Sequence, residues 1–401
     1  VRWVEIGAFS ADAYRMQELR NRGGGLAVAA GRVGPWLGLA VLPLLMFCLV
    51  VVGAAVHGTL GMDFVGSLLH GGRALLDGDA PYHPERIQRI LDHLHRPVTP
   101  AIEETAYPPL ALAVISPLAL VPQWLAILIV TVIWAVLPAL ALRSLGVTDW
   151  RCYGAAYLSL PVIHAVSLGN TAPVMLLCLA LCWRWRDHAL RCGLALAVML
   201  SVKLIAFPLL VWLVATRRFR AAGAAAVFAI GLSLPAWLLV GFDQVHAYAS
   251  VLRGLSTAQQ DGGYSISSFA WQLGLANYAT ALTVAVTALL LVGVWRARKS
   301  DDGRAFALAT LATLAALPIL HQLYFGLLLV PIAISSPGFS RRWLLLLPFW
   351  IFPYEATSGR PLGLVLAALV VGIYLASWKM IPSAVRDPLV MVLTPWRRPT
   401  L

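Results

Sequence analysis

Along this chain apolar residues come in long uninterrupted blocks, with polar residues confined to the gaps between them. Blocks near 35–56, 123–142, 152–168, 170–183, 188–202, 204–216, 221–240, 276–295, 305–320, 322–335, 342–357 and 361–378 predict twelve membrane-spanning helices. One further apolar stretch, 108–121, is only about 14 residues long and carries Pro108, Pro109, Pro117 and Pro122. It is read as re-entrant or juxtamembrane, because counting it as a span would put the later basic clusters outside. Runs 170–183 and 204–216 fall below the roughly 17 residues of a clean crossing. Such short helices are tolerated where protein or a water-filled cavity covers their ends. Their weak points cluster at Asn170, Lys203 and His321–Gln322. The pattern predicts an all-α polytopic membrane protein with a polar cavity sunk into its outer face.

The segments then sort into a cytoplasmic N-terminal stretch 1–34, a transmembrane domain 35–378 and a cytoplasmic tail 379–401. The first apolar run follows a long polar lead and is read as an uncleaved anchor. Two outer loops, 57–107 and 241–275, are long enough to carry structure. Within the first, 63–77 and 84–95 read as helices. Leu68, Leu69, Leu75 and Leu76 set against Gly71, Gly72 and Arg73 suggest a surface-lying amphipathic helix. Gly78-Asp79-Ala80-Pro81 reads as a turn.

Composition agrees with a membrane protein. Hydrophobic residues make up 60% of the 401 residues and charged residues 12%, against about 25% charged in a soluble domain. The net charge of +12 invites a nucleic-acid reading, but its distribution argues for topology instead. The segments assigned to the cytoplasm hold 23 basic and 8 acidic residues, and the outer ones 7 basic and 10 acidic. That is the asymmetry of the positive-inside rule, and no nucleic-acid partner is expected. The five cysteines lie in or beside apolar runs and complete no zinc set. Asp77-Gly78-Asp79 and the loop histidines His83, His93 and His95 are weak metal candidates. No metal or other cofactor is expected.

Asp63 is the leading candidate for chemistry. A carboxylate just beyond the first span is costly so near a bilayer and is often functional. It suits a general base toward a hydroxyl, with a helix N-cap as the plain alternative. Lys203 suits charge neutralisation or snorkelling to the interface. His321 and Gln322 at a helix end suit ligand binding or simple hydrogen bonding. Asn170 either caps its helix or faces the cavity. Tyr264, Ser267 and Ser268 in the second loop, with Ser265, Gln259, Gln260 and Asp261 beside them, line a site or merely connect helices. His164 reads as a satisfied buried residue, and Glu355 as a second acidic group of the cavity or a loop residue. Outer aromatic residues, Tyr82, Tyr107, Trp271, Tyr278, Tyr324 and Tyr354, fit sugar stacking and an interfacial belt equally well.

Asp63-Phe64 is followed by Arg73-Ala74-Leu75-Leu76-Asp77-Gly78-Asp79-Ala80-Pro81-Tyr82, then by Tyr107-Pro108-Pro109-Leu110 with Ser116-Pro117-Leu118, by Gly169-Asn170-Thr171 and by Lys203 to Pro208. This ordered set resembles glycosyltransferase family 87, the first group its first outer loop and the others its later segments. The resemblance spans about residues 35–335. It implies a GT-C-type bundle that uses a polyprenyl-phosphate sugar as donor. The expected activity is that of the actinobacterial phosphatidylinositol-mannoside type: α-1,2-mannose transfer, with inversion, to a glycolipid or lipoglycan on the extracytoplasmic side. Arabinofuranose is the second expected sugar. By this resemblance Asp63 matches a catalytic Asp and His321 an active-site His. A lipid-linked-sugar transporter competes on span number and broken helices. It is disfavoured by the missing two-fold repeat and by a long loop that opens on an acid. A non-catalytic subunit of a cell-envelope complex is the third reading.

Overall fold

The computed structural model describes residues 36–85, 87, 105–258 and 263–350. The described chain opens with α1 (Leu37–Val56) and turns through Gly58 and Gly61. It then enters α2, π-helical over Phe64–Leu69 and α-helical over His70–Asp77, which ends at left-handed Gly78. α3 (Pro109–Leu120) begins on a proline and tightens to a 3₁₀ turn from Ser116. α4 (Gln123–Ser144) starts directly after Pro122. α5 (Trp150–Leu158) and α6 (Leu160–Ser167) split one apolar run at extended Ser159, with Pro161 opening the second half. α7 (Ala172–Arg184) and α8 (Ala189–Val202) follow, and α8 stops where Lys203 becomes extended. Then come α9 (Phe207–Ala215), α10 (Phe219–Val240), α11 (Gln244–Ala258) and α12 (Ile266–Gln272). The described chain closes with α13 (Ala276–Ala297), α14 (Asp302–Ala315), α15 (Gln322–Ser335) and 3₁₀ turns at Arg341–Leu344 and Leu347–Trp350.

Every regular element among the described residues is a helix. Four of them, α1, α4, α10 and α13, are long and apolar enough to cross a membrane. They leave large apolar side chains exposed, Leu44, Val56, Leu239 and Leu289 among them, as helices facing lipid do. The other described runs of the predicted twelve fold as shorter or broken helices around the core. That core gathers Trp212, Phe306, Tyr324, Leu329 and Trp343, all fully buried. α8 packs along α10, where Gly193 comes so close that a Cβ would lie 2.6 Å from that of Ala224.

The structure corrects three expectations. The predicted span 305–320 is helical only to Ala315, because Pro318 lies in the segment that leads to α15. The predicted span 152–168 is two helices. The helix at 63–77 exists, but only half of the leucine stripe faces inward. Leu68 and Leu69 are buried together with Gly71 and Gly72, while Leu75 is half-buried and Leu76 exposed. A Cβ on Gly72 would stand 3.1 Å from Ser116 Cα, so α2 lies backbone-to-backbone on α3. The N-terminal segment 1–34, most of 84–95, residues 259–261, Glu355, the run 361–378 and the tail 379–401 lie outside the described residues.

Candidate active site

Two glycines set the frame. Gly61 (φ 71°) turns the chain out of α1, and Gly169 (φ 70°) turns it from α6 toward α7. The two turns are bonded together. Gly61 N–H donates to Ser167 O (2.7 Å), and Asp63 N–H and Phe64 N–H donate to Leu168 O (2.9 and 3.2 Å). A Cβ on Gly169 would sit 2.6 Å from Phe64 Cβ, so only glycine permits this approach. The first turn of α2 is thereby fixed against the α6–α7 corner.

Asp63 does not cap its helix: it is already in the right-handed helical region and makes no capping bond. That removes the plain alternative. Its Oδ2 instead accepts a 2.8 Å hydrogen bond from Asn170 Nδ2. Asn170 Oδ1 accepts from Ala172 N–H at 3.0 Å, so the amide must present its NH₂ to Asp63. Asn170 therefore holds the first N–H of α7 and the carboxylate at once.

Lys203 arrives from the break after α8. Its Nζ donates to the Tyr324 hydroxyl and lies 4.1 Å from the Tyr324 ring centroid and 5.5 Å from that of Tyr107. Both tyrosines are buried. Asp63 and Lys203 are each half-buried. Burial pushes the Asp63 carboxyl above its usual range, and the Asn170 hydrogen bond and the charge of Lys203 pull it partly back. The Tyr107 phenol is also pushed up, mainly by burial. The charge of Lys203 also reaches His321, half-buried at the start of α15. Asp63, Asn170, Tyr107, Lys203, Tyr324 and His321 thus form one cluster drawn from five separate stretches of chain.

The remaining predicted residues do other things. Gln322 is buried and donates from Nε2 to Phe349 O (2.9 Å), tying α15 to the last described turn. Tyr264 is buried edge-on against Phe325 and Phe349, and its N–H donates to Leu320 O (2.7 Å). Ser265 Oγ caps α12 by accepting from Ser268 N–H and pairs with the hydroxyls of Ser267 and Ser268, each at 2.9 Å. Ser267 also donates to Pro318 O at 3.1 Å. These groups dock the second loop onto the strap leading to His321, and the structure does not bring them to Asp63. Sequence reasoning left Tyr107 and Tyr324 unassigned among the outer aromatics. Their signals were the polar end of the Tyr107-Pro108-Pro109 turn and the three-residue spacing of His321 and Tyr324.

The cluster pairs a carboxyl raised by burial with a held cation. It can take a proton at one end and stabilise negative charge at the other. In comparisons with known proteins, the model of glycosyltransferase family 87 matches residues 105–320, more than half of the chain. The matched stretch contains Tyr107, Asn170 and Lys203 and ends one residue before His321; Asp63 precedes it. No curated protein and no solved structure matches.

Proposed function

The chain belongs to glycosyltransferase family 87, and from that premise we propose that it moves a sugar from a polyprenyl-phosphate donor to a glycolipid or lipoglycan acceptor on the extracytoplasmic side of the cell membrane. The sugar is mannose, transferred in α-1,2 linkage with inversion. Asp63 is the general base. It takes the proton of the acceptor hydroxyl while that oxygen attacks the anomeric carbon. The carbon–oxygen bond to phosphate breaks on the opposite face, and the electron pair leaves on polyprenyl phosphate. Lys203, held by Tyr324, faces the developing phosphate charge, the kind of fixed electrostatic stabilisation that is often the largest catalytic contribution. His321 orients the donor from the same end of the cluster. A carboxyl raised by burial is a better proton acceptor than an exposed one, and Asn170 fixes its direction.

The observation that carries this reading is the 2.8 Å bond joining Asp63 to Asn170, with Lys203 acting on the same carboxylate. Asp63→Asn keeps the shape and removes the base. Membranes carrying it should transfer mannose from polyprenyl-phosphate mannose about 10²–10⁴-fold more slowly than the parent. Transfer at the parental rate by a variant of unchanged melting temperature rejects Asp63 as base. Polyprenyl-phosphate arabinose run in parallel tests the sugar, since faster transfer of arabinose rejects mannose.

A further inference from the structure

A second polar feature lies at the other end of α2, outside the Asp63 cluster. There a cavity of about 270 Å³ opens between α2 and the corner joining α3 to α4, lined by Leu69, His70, Arg73, Val121 and Gln123, among others. Arg73 is exposed and spends one guanidinium N–H on Ala119 O at 2.8 Å. A guanidinium has five N–H donors, and Arg73 makes no ion pair among the described residues. Asp77, one turn further along α2, is exposed and does not pair with it. Among the described residues that line the cavity there is no carboxylate, and Arg73 gives that lining a positive charge. His70 and Gln123, both exposed, add side chains able to donate hydrogen bonds.

The neighbouring chain has the opposite character. Leu120 and Trp124 adjoin the lining residues in sequence and are 75% and 67% exposed. A free anion gains nothing from such apolar neighbours, whereas an amphiphile covers them. We propose that this cavity binds the phosphate of a bilayer lipid headgroup, with Arg73 as the charged partner, His70 and Gln123 as further donors, and the lipid's hydrocarbon lying over Leu120 and Trp124. Arg73 and Asp63 sit on one helical run ten residues apart, about 15 Å at 1.5 Å per residue. A lipid held here fixes α2 at headgroup depth from the end opposite the Asp63 cluster.

The test uses the full chain in detergent and reads binding by native mass spectrometry. The probes are dioctanoyl phosphatidylglycerol, dioctanoylglycerol and inorganic phosphate. The parent should bind the phosphatidylglycerol more tightly than either of the others. Arg73→Gln should weaken that binding about tenfold, the loss of one charge-assisted hydrogen bond. Gln123→Trp, a surface change that blocks the cavity without altering charge, should weaken it as well and keeps the test open if Arg73→Gln does not fold. Parental affinity in either folded variant overturns the proposal. So does dioctanoylglycerol binding as tightly as phosphatidylglycerol. Inorganic phosphate binding as tightly would make this a free-anion site and overturn the lipid assignment. Because the readout is binding and not sugar transfer, failure here leaves the assignment of Asp63 standing, and the converse holds.

Discussion

In the proposed mechanism, Asn170 sets how good a base Asp63 is. Its NH₂ stabilises the charged carboxylate and so lowers a pKa that burial raises. Removing the bond in Asn170→Ala lets burial act with less opposition, and the Asp63 pKa rises further. A general base works only when deprotonated, so transfer should increase with pH through a pKa above the ordinary carboxylate value of about 3.9. In Asn170→Ala that ascending limb should shift to higher pH, with the plateau less affected. A profile identical to the parent would mean that Asp63 does not govern the rate. Lys203→Ala makes a separable claim. It should raise the KM for the polyprenyl-phosphate donor more than that for the acceptor, and Lys203→Arg should restore part of the loss. Equal donor KM values in parent and Lys203→Ala would contradict phosphate binding. Asp63, Asn170 and Lys203 were legible in the sequence because each is a polar residue at the edge of an apolar run. Their contact was not, since the bonded pair is 107 positions apart and only the fold closes that distance. Tyr324 was hidden for another reason: an aromatic residue in an apolar run reads as packing until a cation is found against it.

Arg218 lies in the turn between α9 and α10, and Asp302 in the first turn of α14. Arg218 donates to both carboxylate oxygens of Asp302 (3.0 and 2.8 Å), and Trp212 Nε1 donates to Asp302 Oδ1 at 3.0 Å. The pair joins three elements and is mostly shielded, whereas Asp187 beside it is 70% exposed and adds little. Asp302→Asn removes the charge and leaves Arg218 with only the exposed Asp187 as counter-charge in a partly buried site. The expected loss is about 1–3 kcal/mol, read as a lower melting temperature of the detergent-purified protein; an unchanged value would show the pair to be incidental. In the sequence Arg217, Arg218 and Arg220 registered only as topology signals, because a charge count does not say which charges are paired. The long helices were legible from uninterrupted hydrophobicity, and the break at Ser159 less so, since its run continues through Pro161. The buried face of α2 was read only in part, at Leu68 and Leu69, because glycine carries no hydrophobic signal. Gly72 is inside because α3 lies too close for a side chain, a property of two helices that neither sequence segment displays alone.

At the scale of the whole molecule the polar residues separate into two poles. At one, the C-terminal ends of α1, α6 and α8 meet α2 and the start of α15 around Asp63, Asn170, Lys203 and His321. At the other, Arg184 donates to Ser144 O at the end of α4 (2.8 Å), and Arg218, Asp187 and Asp302 join the α7–α8, α9–α10 and α13–α14 turns. The second pole carries the basic clusters, so by the positive-inside rule the proposed orientation has it in the cytoplasm and the Asp63 pole outside. A donor whose sugar is presented outside can be used only if this orientation holds. Single cysteines at Asp79 and at Ser300, both exposed and at opposite poles, test it in a Cys48→Ser background, the other four native cysteines being buried. In intact cells Asp79→Cys should react with a membrane-impermeant maleimide, and Ser300→Cys should react only after permeabilisation. The reverse pattern would turn the Asp63 cluster toward the cytoplasm and remove the lipid-linked donor from its reach, whatever the chemistry of the cluster itself.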